Sequence, residues 1–562
     1  MNQTRNFQER TGVIFARYMR WFFSYCGLLL TLLSSGQSLP WPMDIPPLLS
    51  GTFGELRSGH FHAGVDIKTQ GEEGQPVRSI WEGHVSRIKV SPYGYGHALY
   101  IDHPNGKTTV YAHLQRFEED IQAYVRSLQY KKRSFALDVY VPKGKLPIDS
   151  GAIVGRSGNS GSSGGPHLHF ELRDSKSQHT LNPLTHGWEK RDGKKPIIRG
   201  VRWVELDNAS MSRIGGTIQE DKMHLVPDRI GIELETYDQL DGAANKNGVH
   251  SIELLVDGKE SFSFTADELD FSEKRYINAL TRYEDVACCK RRWVRTYVLP
   301  GNRLSNIRSV SSGQISGQLG EKKNVLIRVS DALGNKREFA FQIQVNRAAR
   351  EKWEMARIDR RKQHQMQIGE ARAEVPQGTL YCDVREQYRT EDAPKEVIGP
   401  IYVFLSDSVP AHRPLTVSLP LEKIPMALRK KALIVHISAK GRISSVGGMI
   451  RGNRIQAKNR SFGRYGLAID TIPPALRPYG WKTNSSLAGK KGIALRGSDD
   501  LSGIEKWEAR INGEWHLAEY DPKRNRFFLP FEDRLPKGTH QLEFSLTDGC
   551  GNQSVIRAAF RL

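Results

Sequence analysis

From His60 to Asp174 the chain is cut by glycine and proline into short runs of alternating apolar and polar residues, a texture that points to an antiparallel sheet. "HVSRIKV", "HALYIDH" and "TTVYAHL" are such runs. The last, "PHLHFELRD", follows a glycine-rich turn and carries two histidines, His167 and His169. Residues i and i+2 of a strand share one face, about 6 to 7 Å apart, so both imidazoles look the same way. A solvated face that bears histidine by chance requires no partners elsewhere in the chain, whereas a site requires several.

Partners are present. His62-Ala-Gly-Val-Asp66 sets an imidazole and a carboxylate four residues apart around a glycine, which lets the backbone turn tightly, and Tyr111-Ala-His113-Leu ends a strand on a histidine. His62, Asp66 and His169 supply the donor types of a tetrahedral zinc site that keeps its fourth position for water. Zinc so bound lowers the pKa of that water to about 7, making it the nucleophile, and polarises a carbonyl. Hydrolysis also needs a proton acceptor and donors to the oxyanion, which leaves His113 and His167. His60 does not fit the His-x-Gly-x-Asp spacing, and His84, His97 and His103 have no matching partner, so these read as surface or satisfied core histidines. "SGNSGSSGG" lacks the lysine and the helix of a phosphate loop and reads as a flexible groove wall.

Taken in order, His-x-Gly-x-Asp, Tyr-Ala-His-Leu and "SGNSGSSGGPHLHFELRD" followed by "LNPL" resemble the lysostaphin-type (LytM-like) zinc metallopeptidases, family twenty-three of the metallopeptidases. Those enzymes are endopeptidases that cut the peptide cross-links of bacterial peptidoglycan. The resemblance covers residues 48–184. It implies that His62, Asp66 and His169 bind one zinc per chain, that His113 and His167 serve catalysis, and that peptidoglycan is the partner. The alternative is a non-catalytic relative that binds cell wall or activates a separate hydrolase. Such relatives typically lose one of these five positions, and all five are filled here. A general secreted protease shares the chemistry and differs in substrate. One departure is an insert at residues 116–150, in which Ile121, Tyr124, Val125 and Leu128 have helical spacing and Arg126, Lys131, Lys132 and Arg133 form a basic end. It leaves the core after His113 and returns before the His167 hairpin, so it is either a lid or a surface helix and hairpin.

A chain of 562 residues exceeds one hydrophobic core and divides into several domains. The expected class is all-β: an antiparallel metallopeptidase domain with a groove-lining insert, then β-sandwich, immunoglobulin-like modules. "GVHSIELLVDGKESFSF" with "NVLIRVSDALGNKREFAFQIQV" is echoed near the C-terminus by "LSGIEKWEARINGEWHLA" with "GTHQLEFSLTDGCGNQSVIRAAFRL", a divergent internal repeat. The boundaries read as a signal peptide over 1–38, the metallopeptidase over 39–190, sandwiches over 196–346 and 471–562, a basic connector over 347–375 and a β-rich unit over 376–470. Arg5, Arg10, Arg17 and Arg20 precede the 13-residue apolar run "WFFSYCGLLLTLL", too short for a comfortable span, and "SSGQS" offers a cleavage site. This reads as export to the periplasm or envelope of a Gram-negative bacterium, with an uncleaved anchor as the alternative and no stable transmembrane span after cleavage. The net charge of +20 favours polyanionic surroundings, and export makes nucleic acid an unsuitable partner. No protein partner is legible. Cys288, Cys289, Cys382 and Cys550 form no framework and read as buried apolar residues, with one bridge among them as the alternative.

Overall fold

A computed structural model describes residues 39–188, 192–207, 212–349, 357–385, 387–531 and 535–562; the expected signal segment, residues 1–38, lies outside them. The chain is nearly all β, as its alternation predicts. The main sheet of the first domain is built on β1 (Leu49–Gly51), β2 (Val65–Lys68), β3 (Gly83–Val90), β4 (His97–Asp102) and β5 (Lys107–Leu114). Helix α1 (Glu119–Lys132) and strands β6 (Leu137–Tyr140), β7 (His167–Asp174) and β8 (Thr180–Leu181) follow. The sheet runs β1-β2-β7-β5-β4-β3-β6, antiparallel at each of these pairings.

Strand β7 explains the alternation. Leu168, Phe170 and Leu172 are buried with Val65, Ile67 and Tyr111, and Phe170 meets Tyr111 edge-on at 5.5 Å. Each such side chain contributes about 1.5–3 kcal/mol by leaving water. The intervening His167, His169, Glu171 and Arg173 therefore leave the opposite face. Strand β8 continues the sheet into the next domain by pairing with β9 (Glu268–Leu269). The two domains share one hydrophobic core: Phe61 stacks on Phe264 at 6.0 Å, and a Cβ on Gly54 would lie 2.5 Å from that of Ala266. A chain cut after residue 190 would leave this face bare.

The residues that line the groove described below come from outside the insert, which packs as a surface helix and hairpin. Its strand β6 covers the edge of β3, with Leu137 opposite Val90, and Pro147–Ile148 pairs with the same strand. An uncovered β3 would offer unpaired backbone groups to other chains. Helix α1 buries Ile121 and Val125 and turns Arg126 and Tyr130 toward the last domain. There Arg126 pairs with Glu519 at 2.6 Å and Tyr130 meets Trp515 at 5.2 Å. From that same domain Lys523 donates to the Asn159 side chain at 3.0 Å and the Ser163 carbonyl at 3.1 Å.

After the first domain come three β-rich units, each with two multi-stranded sheets. Part of the expected basic connector is folded: His364–Ile368 and Ala371–Val375 form a hairpin joined to Pro410–Pro420. Met366, Ala373 and Val375 are buried there, so a period-two set of small apolar residues was hidden among charges. Residues 350–356 of that connector lie outside the described set. Cys288 and Cys289 are exposed and bonded to each other, rather than buried; Cys382 and Cys550 are free and half-buried.

Candidate metal centre

Register brings the sequence-predicted residues together. His169 of β7 lies directly opposite Asp66 of β2, which puts both side chains on one face, and His62 approaches from the segment before β2. Gly64 is needed for close approach and not for a special turn: a Cβ there would sit 2.2 Å from the Phe170 carbonyl. The donor atoms form a nearly equilateral triangle. His62 Nε2 is 3.0 Å from Asp66 Oδ1 and 3.0 Å from His169 Nδ1, and His169 Nδ1 is 2.9 Å from Asp66 Oδ1. All three residues are buried. A tetrahedral ion with bonds of about 2.0–2.1 Å needs donors about 3.3 Å apart, so this set fits zinc with a small expansion.

The far atoms of the triangle are all fixed. His62 Nδ1 donates to the Thr52 carbonyl at 2.8 Å, which leaves Nε2 free to ligate. Arg57 donates to Asp66 Oδ2 at 2.6 Å. His169 Nε2 donates to Glu171 at 2.9 Å. Glu171 is itself fully buried, held by Arg173 Nε at 2.7 Å and by the Tyr95 hydroxyl. Burial would raise the Glu171 carboxyl, but Arg173, His169 and Tyr95 bring it down to about 2. Burial likewise opposes ionisation of Asp66, and His62, His167 and His169 overcome it to hold that carboxyl well below the ordinary range.

His113 reaches the site by a device the alternation does not show. Tyr111 pairs with Leu99 and Leu114 with His97, a bulge of one residue, and His113 takes φ = +60°. By parity with Tyr111 its ring would point into the core; the bulge turns it out. Its ring lies 4.9 Å from that of His167. Its Nδ1 donates to the Ser160 carbonyl at 2.9 Å, and His167 Nδ1 donates to the Gly165 carbonyl at 2.9 Å. Both therefore present Nε2 to the site, that of His167 lying 3.4 Å from Asp66 Oδ1. Burial, then His169 and His167, pushes His113 down to about 3. Because φ is positive, His113→Gly should be more stable than His113→Ala by about 1 kcal/mol, although glycine in a strand is normally the weaker choice. Chemical denaturation of the two variants checks this; an alanine variant of equal or greater stability would deny the strain.

The turn that holds Ser160 is docked against the neighbouring strand and loop. Ser160 Oγ donates to the Leu114 carbonyl at 2.7 Å, and a Cβ on Gly158 or Gly161 would lie 2.3 Å from backbone nitrogen of Gln115 or Gly96. His60 is exposed and bonds only locally, to the Ser58 carbonyl. His103 bonds Glu82 and Thr109, and His97 bonds the Leu114 carbonyl, as core histidines do.

Sequence reasoning missed Glu171, Arg57, Tyr95 and the far wall of the groove. Glu171 was findable, two residues past His169 on the same face. The wall comes from the next domain: Phe271, Lys274 and Arg275 line the groove opposite Tyr95 and His113. Glu171→Gln should weaken zinc binding about 10- to 100-fold, the usual scale for a carboxylate behind a ligating histidine. Competition with a chromophoric chelator measures it, and an affinity within twofold of the parent would show that Glu171 does not tune the site.

Residues 60–130 match the profile of Peptidase family M23, and residues 355–470 that of a Zu5-like domain. The DD-carboxypeptidase/endopeptidase Mpg of Neisseria meningitidis serogroup B is 33% identical over 118 residues, so the chain spans only 21% of that relative's length and 21% of its own. An uncharacterised protein of Treponema pallidum is 35% identical over 103 residues, 16% of this chain and 68% of that one. Among solved structures, a mutant catalytic domain of the prophage-encoded M23 protein EnpA from Enterococcus faecalis is 23% identical. That match covers 26% of this chain and 94% of EnpA's domain, with a TM-score of 0.19.

Proposed function

We propose, from the match of residues 60–130 to the model of Peptidase family M23, that the chain is an exported zinc metalloendopeptidase that hydrolyses peptide cross-links of bacterial peptidoglycan. The observation that carries the proposal is the triangle of His62, Asp66 and His169 donors, with the far atoms of all three fixed by Thr52, Arg57 and Glu171. Bound there, zinc supplies a Lewis acid for the scissile carbonyl and a water of lowered pKa. The chain supplies the rest. His113 and His167 each present Nε2 to the groove, one as the neutral ring that takes the proton of the attacking water and passes it to the leaving amine, the other with a second proton on Nε2, as an imidazolium, to hold the developing oxyanion. Their anchors on the Ser160 and Gly165 carbonyls keep both rings aimed without substrate. Across the groove, Phe271 offers an apolar surface and Lys274 and Arg275 offer cations suited to the carboxylates of peptide stems. The basic, apolar N-terminal segment supports export, and the described residues contain no helix long and apolar enough to cross a membrane.

Metal binding should expel one proton. Without metal, both ring nitrogens of His169 face carboxylates, Asp66 and Glu171, which can only accept, so the ring carries both protons. Burial opposes that charge, but the two carboxylates raise the group to about 9. Below that pH the vacated site holds the proton, so zinc affinity should rise about tenfold per pH unit and level off near pH 9. Calorimetry in buffers of different ionisation enthalpy reads the released proton directly; an affinity flat between pH 6 and about 8 would contradict the assignment.

Mass spectrometry of purified sacculi after digestion tests the function itself, since it reports activity and the bond cut. Peptide release that stops on chelation and returns with zinc is expected. Binding to sacculi without any release would leave a wall-binding protein.

A further inference from the structure

Two other clusters of carboxylates lie far from the histidines, one in each copy of the internal repeat. In the first, oxygens of Asp192, Asp238 and Asp331 lie within 4.8 Å of one another; in the second, those of Asp470, Asp499 and Asp548 do. Asp238, Asp331, Asp470 and Asp548 are buried. The sequence around them recurs: Asp238-Gln-Leu-Asp-Gly242 matches Asp499-Asp-Leu-Ser-Gly503, and Asp331-Ala-Leu-Gly-Asn335 matches Asp548-Gly-Cys-Gly-Asn552.

The bonding recurs with it. Asn335 Nδ2 donates to Asp331 Oδ2 at 2.7 Å and to the Asp192 carbonyl at 3.0 Å. Asn552 Nδ2 donates to Asp548 Oδ2 at 2.7 Å and to the Asp470 carbonyl at 3.0 Å. The Asp241 amide donates to the Asp192 carboxylate at 2.8 Å, and the Ser502 amide to the Asp470 carboxylate at 3.1 Å. In both copies one aspartate arrives on the chain entering the domain, and two belong to the domain's own turns.

A second observation points to a ligand. Asn247 is only 2% exposed, yet neither its Oδ1 nor its Nδ2 has a hydrogen-bond partner. It pairs with Asp238 through backbone bonds of 3.0 and 2.8 Å in both directions, and in such an antiparallel pair the two side chains leave the same face. Its amide therefore lies beside the Asp238 carboxylate, and an orphaned buried amide oxygen next to converging carboxylates is a cation's donor set. One Asp192 carboxylate oxygen is buried without a partner as well.

We propose that the first repeat binds one hard divalent cation of the calcium class, through Asp192, Asp238, Asp331 and Asn247. All the donors are oxygen, which suits calcium or magnesium and not zinc. The ion ties the incoming chain to the domain it enters, and so fixes the joint with the preceding domain.

The test uses the full chain, stripped with a chelator selective for calcium and then titrated with Ca²⁺, with Mg²⁺, and with Tb³⁺ read by luminescence. One Ca²⁺ per chain is expected, with affinity in or below the range of about 10⁻⁴ to 10⁻³ M found in extracellular modules. Asp331→Asn should remove it with the zinc content unchanged, whereas Asp548→Asn should leave it in place. Where Asp331→Asn fails to fold, Asp192→Asn, at the less buried position, replaces it. Absence of stoichiometric binding by all three ions, or binding unchanged in the folded Asp331→Asn or Asp192→Asn variant, would overturn the proposal.

Discussion

His169→Ala, like His62→Ala and Asp66→Ala, is expected to yield folded protein that contains no zinc and hydrolyses peptide about a thousandfold or more slower. The size follows from what the site supplies: several kcal/mol of transition-state stabilisation from the metal, at about 1.4 kcal/mol per tenfold. Each variant removes one of three protein donors, and two donors do not hold the ion in a tetrahedral site with an open position. The three should differ in stability. His62→Ala and His169→Ala each take a partner from the Asp66 carboxylate, which keeps Arg57, and His169→Ala also takes one from Glu171, which keeps Arg173. Asp66→Ala deprives Arg57 of its 2.6 Å partner and should be the least stable. Metal analysis and muropeptide turnover on the same preparations check this, and stoichiometric zinc in all three variants would refute the ligand set.

His113→Ala and His167→Ala should instead keep zinc and lose about a hundredfold or more in kcat each. Neither ring lies in the donor triangle. Both point Nε2 at it from the side, anchored by Nδ1 on a carbonyl. Combining the two substitutions should cost little more than either alone, because proton transfer and oxyanion binding serve one transition state. Turnover near the parent value with zinc retained would remove that residue from the mechanism; loss of zinc along with turnover would move it into the ligand set.

How far the sequence could be read follows the distance over which each feature is determined. His62, Asp66 and His169 were legible because strand parity and a short loop decide their placement locally. His113 was named by its motif, yet its direction depends on a bulge that alternation cannot reveal. Gly64 was marked correctly for the wrong reason, since its constraint is the carbonyl of Phe170, some hundred residues away in sequence. Phe271, Lys274 and Arg275 carried no signal at all, because they meet the groove only through the pairing of β8 with β9. The insert stayed ambiguous for the same reason: its ends flank the site in sequence, while its strand follows the edge of β3. The hairpin at residues 364–375 was lost to its charge, which masks the small residues that face inward.

The contact of Lys523 with Asn159 and Ser163 spans about two-thirds of the chain, 364 and 360 residues. It steadies the turn whose Ser160 carbonyl aims His113. Contacts of such separation close late, since loop entropy must be met before they form. A polypeptide delivered from its N-terminus therefore exposes His62, His113, His167 and His169 long before this turn is clamped. The aim of the His113 ring is thus completed only when the last domain arrives.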